Sequence, residues 1–293
     1  MISLFPLRPI QIVDVSFQLL RKRFIKSFII ALCISLPLQT LLWILESSQP
    51  SDTNIQGRIV LIIAIVQFFA VGFSLTLSSY VLGKTSGRVY CETIFNNLYQ
   101  VQKSSARAIL AAYHVGLHLI FAFGLIGLRY LLGKIVIDTS ADVITALTFV
   151  TVGLPWIFGT LYLGFAAPIS THEGGTFTSI RKRARQINKV HYYKLVGVYC
   201  ICLFMILVLV IPSLTAVQLI LAKNFVTSDV GTIALINLII AVVIASISAV
   251  YSFILTVTYF NARIEYEGFD IAVSIDQTEM EGGMRGKLFD SVA

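Results

Sequence analysis

His172 and Glu173 stand side by side, Gly174 and Gly175 follow, and a cluster of Arg181, Lys182, Arg183 and Arg185 comes just after. A histidine beside a carboxylate can exchange protons. Two glycines ahead of a helix let backbone N–H groups approach an anion, and the helix N-terminus adds its dipole. Four cations on that helix would strengthen the preference, and beside a bilayer each would draw anionic headgroups by about 1 kcal/mol. Catalysis would also need a second acid or a set of metal ligands close by. None is visible, so no residue is assigned a catalytic role. Two readings stand. In one, Glu173, Gly174, Gly175, Arg181, Lys182, Arg183 and Arg185 bind an anion or a lipid headgroup. In the other, the glycines turn the chain, Thr176 or Thr178 caps the helix, and the basic residues fix orientation in a membrane.

His114 and His118 lie four apart, on one face of a helix and inside an apolar run. Such a pair can share a metal, but no carboxylate or cysteine accompanies it at ligand spacing. Neutral imidazoles bonding across to a neighbouring helix are the commoner use, with lipid or ligand contact a third. Cys200 and Cys202 are two apart, about 200° around a helix, and face different sides. With Cys33 and Cys91 they imply neither a disulfide framework nor a metal site. No metal or cofactor is expected. The 15 acidic residues all lie outside the apolar runs. Carboxylates within a membrane mark proton and cation paths, so a proton-coupled pump of the usual design is not expected. Pro37, Pro155, Pro168 and Pro212 sit in or at the ends of apolar runs, where kinks either shape a cavity or simply bend a helix. Ala241, Ala245 and Ala249 make a small-residue face suited to close helix packing.

The elements that must position these groups are set by composition. Hydrophobic residues make up 57% of the 293 residues and charged residues only 13%, against about a quarter in a soluble domain. Six runs, 24–45, 59–82, 109–132, 143–168, 195–222 and 232–260, each supply the roughly 20 apolar residues of a spanning helix. None alternates like a barrel strand. The expectation is an all-α polytopic membrane protein with six spans over residues 1–272 and a polar cytoplasmic tail over 273–293. No cleavable signal is evident ahead of the first run.

Placing the N-terminus inside leaves only Arg58, Arg129, Lys134 and Lys223 of the 22 Lys and Arg residues in outer loops. The positive-inside rule then predicts both termini in the cytoplasm of a cell-membrane protein. The same placement accounts for the +7 net charge without a nucleic-acid partner. The outer loops, 46–58, 133–142 and 223–231, are short. The inner segments look helical. In the first, Ile10, Val13, Phe17, Leu20 and Phe24 form a stripe opposite Gln11, Gln18 and Lys22, which predicts an amphipathic helix flat on the inner interface. Residues 91–107 and 176–194 are similar in kind. Inner helix, basic anchor (Lys26, Arg107 or Lys194), span out, short loop and span back recur three times, predicting three hairpins with an inner collar.

Three short motifs carry a resemblance. They are Pro6, Pro9, Asp14, Phe17, Arg21 and Pro37 at the start; Pro168, Glu173, Gly174, Arg181 and Arg185 in the third inner segment; and Tyr259, Arg263, Glu267, Gly268 and Asp270 at the end. In this order the chain resembles the integral-membrane domain fused to some glycerophosphodiester phosphodiesterases and found alone in many actinobacterial membrane proteins. The resemblance covers residues 5 to about 272, although "SIRKRARQI" lacks the family's Arg-Ser pair. The catalytic barrel that gives the family its name lies outside that stretch, so the resemblance implies a membrane module and no phosphodiesterase activity.

The expected function is a non-enzymatic scaffold or lipid-contacting component of a membrane complex. Its partners would be the bilayer, anionic lipid headgroups and a membrane protein. The alternative is a transporter or channel for a lipid-like or small uncharged solute, with a cavity near the kinked spans and His114/His118. A module tied to glycerophosphodiester metabolism is a more distant reading.

Overall fold

A computed structural model describes residues 7–47, 53–94, 106–135, 151, 163–223 and 230–267. Its elements are α1 (Pro9–Arg21), α2 (Phe24–Ser47), α3 (Thr53–Ile94), α4 (Ala106–Ile135), α5 (Ala166–His172), α6 (Phe177–Lys223) and α7 (Val230–Glu267). No strand occurs among the described residues. In long apolar segments the helix is the one conformation that bonds every backbone group within its own segment.

Among the described residues, three stretches are long and apolar enough to cross a membrane: Phe24–Leu41 in α2, Ala106–Leu128 in α4 and Asn237–Glu265 in α7. The runs 59–82 and 195–222 fall within α3 and α6. Most of the run 143–168 lies outside the described residues, as do Pro6, Lys103, Pro155, most of the three outer loops, Gly268, Asp270 and the 273–293 tail. Large apolar side chains point outward along the apolar helices, among them Ile25, Ile29, Ile120, Phe123 and Phe204. Water penalises such surface and lipid accepts it.

α7 is the axis of the core. It packs most extensively along α2 and α3, and also against α6, α1 and α5. From Ala241 to Ala262 it is largely enclosed, with Ala241, Ala245 and Ala249 all at 0% exposure. The small-residue face is thus a packing surface, and α2 is one helix it meets: Ser35 Oγ donates to the Ala241 carbonyl at 3.0 Å. α3 meets α7 through Ser86 and Thr256, whose hydroxyls lie 2.7 Å apart, and through Tyr90 stacked on Phe260 at 4.5 Å.

Of the second inner segment, 91–107, residues 95–105 lie outside the described residues, while the third, 176–194, is helical and meets the next apolar run at a kink. α3 runs unbroken from its apolar run through Gly83 and Gly87 to Ile94, and α6 carries the basic segment and the 195–222 run on either side of a kink. At 1.5 Å per residue the 42 residues of α3 make a helix about 63 Å long, twice the roughly 30 Å of a bilayer's hydrocarbon. The kink in α6 is at His191 (φ −109°, ψ 17°).

The face of α1 is rotated from the predicted stripe. Val13 and Leu20 are buried, but Ile10, Phe17 and Phe24 are exposed, and Ile12, Val15, Ser16 and Leu19 are buried instead. The cause is that α1 docks on protein as well as carrying outward apolar residues. The Leu7 N–H donates to Asn261 Oδ1 at 2.7 Å. Pro9 lies against Gly197 of α6, where an added Cβ would sit 3.3 Å from the proline ring.

Candidate functional site

α1, α5, the ends of α3 and α7 and the start of α6 meet at one end of the bundle. The sequence between α5 and α6 explains how. α5 ends at His172, and the N–H groups of Glu173 and Gly174 both donate to the Ile169 carbonyl, at 2.8 and 3.2 Å. Gly174 (φ 71°) and Gly175 (φ 105°) then take left-handed conformations open mainly to glycine. α6 starts against Thr176, whose Oγ1 accepts the Ser179 N–H at 3.4 Å and whose carbonyl accepts the Ile180 N–H at 3.0 Å. The glycine turn and hydroxyl cap of the structural reading are therefore present.

Glu173 closes α5 and faces two other helices. Its Oε2 accepts from Arg183 Nε of α6 at 3.1 Å. Its Oε1 accepts from the Tyr259 hydroxyl of α7 at 2.6 Å, and Arg263 Nε lies 3.6 Å from the same oxygen. Arg263 also donates to the Tyr259 hydroxyl at 3.4 Å and stands over its ring at 5.9 Å. A carboxylate engaged by two guanidiniums and a phenol is a strut joining three helices.

The basic cluster is split by this geometry. Arg183 is folded inward onto Glu173, while Arg181, Lys182 and Arg185 remain exposed on the same helix. Of the predicted anion-binding set, Glu173 and Arg183 neutralise one another, Gly174 and Gly175 make the turn, and three cations face outward.

His172 does not work with Glu173. Its ring is buried, stacked on Tyr259 at 5.8 Å and against Phe260 at 5.0 Å. Burial, then the charges of Arg107 and Arg263, push its pKa down to about 3, so it is neutral at physiological pH. It rests on Gly87 of α3, where an added Cβ would come within 1.9 Å of the ring, and Thr171 rests on Gly83. Gly83 and Gly87 have the spacing that lets helices approach closely. This α3–α5 seat was missed in the sequence, although the small-x-x-x-small signal is legible in "GKTSG".

A second ionic group lies at the α6 kink. Glu265 of α7 is paired with Lys194, and His191 Nδ1 lies 3.4 Å from Glu265 Oε2. Burial lowers the His191 pKa against the opposing pull of Glu265, and Lys194 adds to the lowering.

His114 and His118 both turn to α3. His114 Nδ1 bonds the Tyr80 hydroxyl at 2.9 Å, and His118 Nε2 bonds Thr76 Oγ1 at 2.8 Å. Arg107, on the first turn of α4, donates to the Tyr80 carbonyl. Among the described residues no three His, Cys, Asp or Glu side chains are grouped to hold a metal. Cys33, Cys91 and Cys200 are free thiols, and the side chain of Cys202 lies outside the described residues. Burial first pushes the Cys91 thiol up to about 12, with a smaller upward push from Glu92 against a downward one from Arg263. Compared with known proteins, the chain matches no family model, no curated protein and no solved structure.

Proposed function

We propose that the chain is a six-span, non-enzymatic protein of the cell membrane, with both termini in the cytoplasm, that binds anionic lipid headgroups with its inner end as a scaffold or lipid-contacting part of a membrane complex. The observation that carries this reading is the split of the basic cluster. Arg183 is spent on Glu173, while Arg181, Lys182 and Arg185 stay exposed beside it. Arg21, Arg23, Lys84, Arg88 and Lys189 are exposed on the segments that gather at the same end. A ring of cations bordering apolar helices suits a leaflet rich in anionic lipid. The engaged carboxylate argues against acid–base work, because Arg183 and Arg263 hold it in its charged form as a strut.

The resemblance to the phosphodiesterase-linked membrane domains belongs to the same proposal. Support comes from Glu173 of the second motif meeting Tyr259 and Arg263 of the third. Transport is the rival reading and needs polar groups lining a path. His114 and His118 each commit a ring nitrogen to α3, which favours the scaffold.

The test uses the purified full chain in neutral detergent, melted with and without phosphatidylglycerol. Lipid should raise the melting temperature of the wild type and do so far less for R181Q/K182Q/R185Q. An equal rise in both would remove these cations from the proposal. A rise with phosphatidylcholine as large as with phosphatidylglycerol would show that headgroup charge is not what is read.

A further inference from the structure

The interface of α2, α3 and α7 is a seam of small and hydroxyl-bearing residues. Tyr90 stacked on Phe260 and Ser86 bonded to Thr256 give α3 and α7 one register, with partners separated by 170 residues. Eight residues earlier on both helices, that register sets Ser78 beside Ser248. α2 runs antiparallel to α7, and Ser35 bonds the Ala241 carbonyl. Eight residues back along α2 and eight forward along α7 set Ser27 beside Ala249, next to Ser248. The buried stripe Ser27, Ala31, Ser35, Gln39 of α2, repeating every four residues, keeps this face turned inward throughout.

Ser27, Ser78 and Ser248 are all at 0% exposure. None of their three hydroxyls has a hydrogen-bond partner within the protein. The rest of the seam behaves differently. Ser79, Ser86, Ser252, Thr256 and Thr258 each donate to a carbonyl of the preceding turn. A buried hydroxyl left without a partner is costly. Three such hydroxyls from three helices at one level of one interface are the signature of an enclosed molecule that bonds them together.

We propose that Ser27, Ser78 and Ser248 form a binding site for one buried water molecule that cross-links α2, α3 and α7. Water suits the site because each hydroxyl both donates and accepts, and a buried water takes two to four such partners. The surrounding Ala31, Leu82, Ala245 and Ala249 are apolar and offer nothing to balance an ion. Small residues keep the three helices close, and the water satisfies the polar groups that this closeness has sealed from solvent. The proposal rests on helix register and does not depend on the lipid-binding reading.

Melting of the full chain in detergent tests it by sign. If the hydroxyls hold a water, Ser78→Ala and Ser248→Ala each lower the melting temperature by about 2–4 °C. Ser79→Ala, which removes only a bond to its own helix, is the reference and should lower it less. The double variant S78A/S248A should fall little further than either single, because the water is lost with the first hydroxyl. Unchanged or raised melting in the two single variants would mean the hydroxyls were merely sealed off, and would overturn the proposal. Fully additive losses would overturn it too, since they assign each hydroxyl a partner of its own. Should the double variant not fold, Ser27→Ala replaces it, with a loss expected and a gain decisive against the site.

Discussion

Glu173 joins three helices through one carboxylate, and this sets what its removal does. Glu173→Gln keeps the shape but leaves Arg183 and Arg263 facing an uncharged amide. With Glu173 still about a fifth exposed, the cost is about 1–2 kcal/mol rather than that of a fully buried pair. Tyr259→Phe removes one donor and costs about 1 kcal/mol. Chemical denaturation of the two variants and their double checks this, and losses in the double should be less than additive because both act on one network. His172 yields a prediction in pH. It stays neutral in the folded chain down to about pH 3, whereas an unfolded histidine takes its proton near pH 6.5. Between these values the unfolded state binds more protons, so this residue's contribution to stability falls as pH falls below about 6.5 and is level above it. Wild type should therefore lose stability more steeply than His172→Asn between pH 6.5 and 4.5, with parallel curves above pH 7. Parallel curves throughout would show that the imidazole is not held neutral. In the sequence the residue types at 172–185 were legible, but not their division of labour. Nothing local tells Glu173 that its partners are Tyr259 and Arg263, since their one-turn spacing marks a shared face but not what that face meets.

At the scale of elements, close approach decides what can be changed. α5 sits on α3 through Thr171 on Gly83 and His172 on Gly87. Gly87→Ala would put its new methyl into the imidazole, so the ring must move or the helices part, at about 1–3 kcal/mol. Adding His172→Ala frees the space and should recover part of that loss, which a double-mutant cycle by denaturation measures. A cycle with no recovery would mean that the two residues do not touch. Gly175→Ala strains the α5–α6 turn through a positive φ and a contact of 2.7 Å with Ser179 Oγ, at about 1–2 kcal/mol. The existence of the helices was legible because apolar runs of spanning length have no other way to bond their backbone. Their ends were not. α3 passes through Gly83 and Gly87 without stopping because both glycines are buried against α5, and α6 kinks at His191. The rotation of α1 was hidden for a related reason: it carries apolar residues on two faces, and only the docking of Leu7 and Pro9 decides which face turns inward.

For the whole molecule, charge decides orientation and packing decides which helices form the core. α7 is enclosed by α1, α2, α3, α5 and α6, so the last apolar run could be recognised as a span but not as the axis. That role follows from Ala241, Ala245, Ala249 and the hydroxyl stripe Ser248, Ser252, Thr256, which let several helices approach it. The exposed cations gather at the end where α1, α5 and the kink of α6 meet. If that end faces the cytoplasm, α2 leaves it, α3 returns to it, and α7 finishes there. A fluorescent protein fused after Ala293 should then fold and fluoresce. Alkaline phosphatase fused after Asp138, in the proposed outer loop 133–142, should be active, and after Arg185 inactive. Phosphatase active after Arg185 together with a dark C-terminal fusion would invert the orientation. Activity at both Asp138 and Arg185 would mean that the run 143–168 does not cross. In that event α6 would begin outside, the Arg181–Arg185 cluster would face the wrong leaflet, and the lipid-binding proposal would fail with the topology that supports it.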